Sequence, residues 1–206
     1  MNLHNMYNPK FSFIIPCWEQ THLLKVQLQS IVCQTYKDWE VILIHDGINK
    51  HHELKIAEYL LDSRFKYFST PKRHGWPGHY GRQEGMKLAT GNWIIHTNDD
   101  NYYTPNLLQE IVDVINSNDT NINFIYWEMI CGKYHNLHSH NQKDYGHFIP
   151  QIRSCYIDWG QFATKQEIIK KYQINISNPA ADGDLVEDMK HELIPYFIDK
   201  CLFVHN

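Results

Sequence analysis

At 206 residues, with 43% of them hydrophobic, 20% charged and 14% aromatic, the chain can bury a full core and is too apolar to be intrinsically disordered. Its net charge of −4 and the absence of a dense basic stripe exclude a nucleic-acid partner, because neutralising a phosphate backbone takes clustered Lys and Arg. One domain over residues 1–206 is the expectation.

Five cysteines, Cys17, Cys33, Cys131, Cys155 and Cys201, form no CxxC pair and are odd in number. That usage fits reduced thiols and a cytoplasmic location. No apolar run approaches the ~20 residues that cross a bilayer, and the polar start MNLHNMYNPK lacks the apolar core of a secretory signal. No transmembrane segment is therefore expected.

In chain order, FSFIIP reads as a short buried strand closed by Pro16, and THLLKVQLQSIVCQTY as a helix behind a Thr able to cap it. WEVILIHDG is a continuous apolar strand ending at Asp46 and Gly47, HHELKIAEYLLD is helical, and RFKYFST is a third strand. PKRHGWPGHYG is a loop, and RQEGMKLAT a short helix with Gly91 in the C-terminal capping position. NWIIHTND gives a fourth strand, Thr104 and Pro105 open the helix PNLLQEIVDVINS, and INFIYWEMI is a further strand. The stretch from Cys131 to Asp158 is irregular or a short hairpin. Helices over TKQEIIKKYQ and around GDLVEDMKHEL follow, then a strand-like KCLFVHN. This alternation predicts an α/β fold with a mainly parallel central sheet flanked by helices on both faces.

Ligands of such sheets bind beyond the carboxyl ends of the strands. Three polar clusters fall there: Cys17-Trp18-Glu19, Asp46, and Asn98-Asp99-Asp100. Carboxylates at Asp99 and Asp100 suit a hard cation, Mn²⁺ or Mg²⁺, which takes oxygen ligands and shares them with substrate phosphates. An acidic loop that favours the next helix N-terminus is the plainer alternative. Lys72, Arg73 and Arg82 add positive charge around the Gly-rich loop, and arginine grips phosphate with two prongs. His135, His138, His140 and His147 stand together but lack the cysteine pair of a structural zinc site.

FSFIIPCWEQTHLLKVQLQSIVCQTYKDWEVILIHDG resembles the opening of family 2 glycosyltransferases of the GT-A (Rossmann-like) fold: an apolar strand, P-T-Y-N-R, a helix, Q-T-Y-x-x-x-E, a strand and D-D-G-S. GRQEGMKLATGNWIIHTNDDNYYTP is similar to their later A-R-N-x-G, A-x-G and D-x-D-D segments, in the same order. His45 replaces the first Asp of D-D-G-S, Gln83 the Asn of A-R-N, and Thr97 or Asn98 the first Asp of D-x-D.

The resemblance implies a metal-dependent transfer of a sugar from a nucleotide-sugar donor, UDP-linked in the favoured case, to a glycan or other hydroxyl acceptor, with inversion. It puts the nucleotide-binding half at 1–103 and the acceptor-binding half at 104–206. By matching position, Pro16, Cys17, Trp18, Glu19 and Asp46 meet the base, Arg82 the base or diphosphate, Asp99 the ribose or sugar, and Asp100 the metal; Arg73 and Asn98 are further candidate contacts of the nucleotide-sugar. His205 is a second candidate metal ligand. The catalytic base is expected at Asp182, with Asp184 and Asp188 as rivals, and Asp158 and Trp159 either shape the acceptor pocket or form a structural turn. A nucleotidyltransferase of related fold and a catalytically weak nucleotide- or carbohydrate-binding module are the alternatives.

Overall fold

The computed structural model describes residues 10–19, 21–75, 77–117, 121–132 and 146–206. Residues 1–9, His135, His138 and His140 lie outside them.

The chain begins as β1 (Phe11–Cys17), α1 (Thr21–Val32), β2 (Trp39–His45), the short α2 (Lys50–Lys55) and α3 (Ala57–Leu60), and β3 (Phe65–Ser69). It continues through α4 (His79–Leu88) to β4 (Trp93–His96). These four strands lie parallel in the order β3-β2-β1-β4. Successive side chains of a strand point to opposite faces, so these apolar runs feed two cores. Phe13, Ile15, Val41 and Leu43 enter one, and Ile14, Ile42 and Ile44 the other. Leu24, Leu28 and Ile31 of α1, spaced by three or four residues, close the first face. Met86 of α4 helps close the second.

Next come β5 (Tyr102–Tyr103), α5 (Leu107–Ser117), β6 (Phe124–Cys131), β7 (Gly146–Phe148), β8 (Phe162–Lys165), α6 (Gln166–Ile169), α7 (Ala181–Met189) and β9 (Pro195–His205). Among the described residues nine strands form one sheet, which continues past β4 as β8-β6-β9-β5, with β7 paired antiparallel to β6.

The expected mainly parallel sheet is corrected here to a mixed one. Strand β8 runs antiparallel to both β4 and β6, and β5 antiparallel to β9. The segment TKQEIIKKYQ, expected as a helix, begins inside β8, and only Gln166–Ile169 is α-helical. Phe162 packs into one core and Ala163 into the other, the period-two burial of a strand covered on both faces. Two reversals restore the original direction, and β9 runs parallel to β6. The last strand therefore ends on the same rim as β1.

Smaller departures have local causes. Strand β1 runs through Pro16 because β4 pairs only as far as Ile14, so no ladder bond on that side needs the missing N–H. The helix expected over residues 51–62 breaks at Ile56, whose side chain is fully buried. Helix α4 starts three residues earlier than expected, at His79. Gly91 does not cap it: the C-cap is Ala89, and a Cβ at Gly91 would lie 2.6 Å from Ser12 Oγ and 2.7 Å from Ser12 N.

Glu40 ties the amino end of the sheet together. It accepts from Ser12 Oγ at 2.7 Å, from Thr90 N at 2.7 Å and Thr90 Oγ1 at 2.8 Å, and pairs with Lys66 at 2.7 Å and Lys10 at 3.3 Å. Burial would raise its pKa, but the bonds from Lys66, Ser12 and Thr90 outweigh that and hold it at about 2. Among the described residues no helix is long and apolar enough to cross a membrane.

Candidate functional site

The carboxyl ends of the strands enclose a cavity of about 700 Å³. Pro16, Cys17, Trp18, Asp46, Arg73, Arg82, Asn98, Asp99, Asp100, Asp182 and His205 all line it. Glu19 is exposed and does not reach the wall, and neither do Asp184 and Asp188. Asp184 instead accepts from Ser154 Oγ at 3.0 Å and from the Asn178 amide, while Asp188 is exposed on the outer side of α7. The structure thus separates Asp182 from both of its rivals.

Beyond β1 and β2, the Trp18 ring lies 5.4 Å from the His45 ring between centroids, and the Arg73 guanidinium stands 4.0 Å from the Trp18 centroid. His45, which replaces an acidic residue of the resembled motif, is fully buried and donates from Nδ1 to the Gly47 carbonyl at 2.6 Å. Asp46 accepts the backbone N–H of His74 on one oxygen and that of Gly75 on the other, both at 2.7 Å. It therefore holds the loop that carries Arg73, and Oδ2 keeps a further lone pair for a ligand. His74 stacks flat on Tyr80, 3.6 Å between centroids.

Under the cavity floor, Arg82 is buried and donates to the Thr97 carbonyl at 2.9 Å and to Asn98 Oδ1. Burial draws its pKa down to about 10, against the attraction of Asp158, Asp182 and Asp99, so it stays charged at neutral pH. Asn98 is thereby committed to Arg82.

The two carboxylates that follow are held differently. Asp99 accepts from Trp18 N at 3.1 Å, and burial, reinforced by Asp100, lifts its pKa to about 6 against that bond. Burial also raises Asp100, opposed by His205, and its Oδ1 is buried without a hydrogen-bond partner.

Across the cavity, Asp158 caps the 3-10 turn Trp159–Gln161, accepting from Gly160 N at 2.8 Å, and lies 3.7 Å from His205 Nε2. The two expectations for Asp158 and Trp159 are thus compatible: they form a structural turn, and both line the cavity. Asp182 opens α7 and accepts from Gly183 N at 2.8 Å, and burial, then Asp158, raises its pKa. At the end of β9, Asn206 N donates to Asn101 Oδ1 at 3.1 Å, joining this rim to the β4 loop.

Sequence reasoning missed Thr70, His74, His79, Tyr80 and Asn206 as lining residues. His79 carried a usable signal: had α4 been extended by one turn, His79 would fall three residues before Arg82, on the same helix face. Among the described residues no three His, Cys, Asp or Glu side chains converge as a ready metal site.

A curled mixed sheet with helices on both faces and a cavity lined by several charged side chains at the strand ends defines a domain of the GT-A fold. Solved structures agree. The chain superposes on Staphylococcus aureus TarS 1-349 with a TM-score of 0.75, at 16% identity, over 96% of this chain and 60% of that one. It superposes on the mannosyltransferase PcManGT from Pyrobaculum calidifontis, solved with GDP-Man and Mn²⁺, with a TM-score of 0.72, at 13% identity, over 97% and 57%.

The chain belongs to glycosyl transferase family 2, matched over residues 12–178. It is 28% identical to the Escherichia coli UDP-Glc:alpha-D-GlcNAc-diphosphoundecaprenol beta-1,3-glucosyltransferase WfgD, over 56% of this chain and 44% of that protein. It is 31% identical to an uncharacterized glycosyltransferase of Rickettsia typhi, over 65% and 41%. Matches of this kind cover only 17 to 44% of the relatives' own length.

Proposed function

We propose that this domain transfers a sugar from a UDP-sugar to a hydroxyl of a glycan or other acceptor, with inversion by direct displacement. The observation that carries this is one cavity lined by Trp18 and Asp46 together with Asp99, Asp100 and Asp182. UDP is favoured because WfgD is named for UDP-Glc and TarS 1-349 was solved with UDP and with UDP-GlcNAc. The ring of Trp18 and the remaining lone pair of Asp46 Oδ2 suit a base, while Arg73 and Arg82 place positive charge near the diphosphate.

Asp182 takes the proton of the acceptor hydroxyl, whose oxygen then attacks the anomeric carbon. The bond from that carbon to the diphosphate oxygen breaks, and its electron pair leaves with UDP. A raised pKa suits this work, since a base is most effective when its affinity for the proton approaches the working pH. Arg82 balances the carboxylates around it.

The unpartnered Oδ1 of Asp100 fits one ligand position of a divalent cation, and His205, which also lines the cavity, would supply a second. Mn²⁺ or Mg²⁺ held there would take further oxygen ligands from the diphosphate and from water. When bound, the cation neutralises charge on the departing diphosphate. In this reading the halves 1–103 and 104–206 hold donor and acceptor, and the domain works in the cytoplasm on glycan assembly. The weak-binding alternative loses its motive, because Asn98 and His45 are both engaged in the framework of the site.

Calorimetric titration of UDP, GDP and their sugar conjugates, with Mn²⁺ and with chelator, tests the reading on wild type and Asp100→Ala. Metal-dependent UDP binding that weakens at least tenfold in the variant is expected. Failure of every nucleotide to bind wild type would overturn it.

A further inference from the structure

Trp18, just past β1, and Arg73, in the loop between β3 and α4, both line the cavity. The guanidinium carbon of Arg73 lies 4.0 Å from the centroid of the Trp18 ring. An atom beside the ring edge cannot come so near the centroid, so the guanidinium covers a face of the indole. Arg73 is itself exposed, and the face it covers is therefore one that opens to the cavity.

The backbone around Arg73 is fixed while its side chain is not. Thr70 Oγ1 donates to the Lys72 carbonyl at 2.8 Å, and the N–H groups of His74 and Gly75 donate to Asp46 at 2.7 Å. Among the described residues no carboxylate pairs with the guanidinium, and its contact is the Trp18 ring. A cation held to an exposed ring in this way shifts an equilibrium only about two- to fivefold. The side chain can leave Trp18 at small cost and swing about a Cα that stays in place.

A nucleobase stacks on an aromatic ring at about the distance a guanidinium does, so the two cannot lie on one face together. Resting on the UDP-sugar reading above, we propose that Arg73 is a displaceable cover of the nucleobase seat: it holds the Trp18 face until a base takes that place, and the freed guanidinium then pairs with the diphosphate of the same nucleotide. The exchange keeps the ring covered throughout and releases a two-pronged anion grip only when a base is seated. Base entry and diphosphate capture thereby become one event, and an anion without a base meets an arginine that is still engaged.

NMR of the full chain with isotope-labelled arginine reads the contact directly, because the ring current of an indole displaces the signals of an arginine lying over its face. Arg73→Lys identifies the Arg73 signals by their loss. Arg64, 3.7 Å from the Trp39 centroid, and Arg153, 3.4 Å from that of Tyr156, are stacked outside the cavity and serve as references. Saturation with UDP and Mg²⁺ is expected to abolish the displacement of Arg73 and to leave those of Arg64 and Arg153. Inorganic pyrophosphate with Mg²⁺ should leave all three. Calorimetry then compares UDP affinity in wild type, Arg73→Ala and Lys72→Ala. A loss of about tenfold is expected for Arg73→Ala, the scale of a charge-assisted bond to phosphate. Lys72→Ala removes the same charge from the neighbouring position, outside the cavity lining, and should cost less than about twofold. An Arg73 signal that stays displaced at saturating UDP, or that pyrophosphate alone releases, overturns the proposal, as does an equal loss of affinity in the two alanine variants. Absence of UDP binding to wild type is the distinct failure that removes the donor reading itself and the proposal with it.

Discussion

Asp182 carries its charge at the expense of stability. Burial and the nearby Asp158 raise its pKa in the folded state, so the cost of its charge grows as pH rises through the folded value and vanishes below the unfolded one. Asp182→Asn removes the ionisation while keeping an oxygen for Gly183 N. Turnover is expected to fall by about 10²- to 10⁴-fold, the usual loss of a general base. The melting temperature at pH 8 should rise by about 2–4 °C for each kcal/mol relieved, and scanning calorimetry checks that sign. The rise should shrink at pH 4, where wild type is already protonated. Asp182 was legible in the sequence as a candidate but was not separable there from Asp184 and Asp188. Only the helix start, which turns Asp184 toward Ser154 and Asn178, divides them.

At the scale of an element, the 3-10 turn places Asp158 and Trp159 because it can lie directly against β9. A Cβ on Gly160 would meet the Phe203 ring at 2.1 Å, so turn and strand approach closer than any other residue allows. Gly160→Ala should cost about 1–3 kcal/mol, as overpacked cores do, and weaken turnover beyond that by shifting Asp158 and Trp159. Urea denaturation gives the first quantity, and turnover at a temperature where the variant is fully folded gives the second. Unchanged values for both would show that the contact is soft. The last two residues of the neighbouring β8, Thr164 and Lys165, were read as helix because TKQEIIKK carries helix formers and the whole strand is only four residues long. Its neighbours on both sides overrode that preference, since β-structure depends on context more than on intrinsic propensity.

Across the whole molecule, the site and the main polar anchor lie at opposite ends of the sheet. Glu40 binds β1, β2, β3 and the α4–β4 connection far from the cavity. Its folded pKa of about 2 lies below the ordinary 4.5, so the stability it adds is present above the ordinary value and is lost as pH falls through about 2. Glu40→Gln should cost about 1–3 kcal/mol at pH 7, the scale of a hydrogen bond to a charged group, and little at pH 2. Denaturation midpoints at the two pH values measure the difference, while UDP affinity of the folded variant should remain that of wild type. An equal loss at both pH values would assign the effect to packing instead of charge.

The sequence by itself determined the four parallel strands, the helices that cover them and the rim on which Trp18, Asp46, Asp99 and Asp100 gather. Those features follow from local periodicity and from residues within one or two elements of each other. Only the tertiary structure decided the reversal at β8, the return of β9 that carries His205 to the same rim, and the engagement of Asn98 by Arg82. It also revealed the Arg73 guanidinium over the Trp18 ring. Each of these depends on what lies across the fold from a residue, and a buried polar atom without a partner, such as Asp100 Oδ1, can be recognised only when its whole surroundings are known.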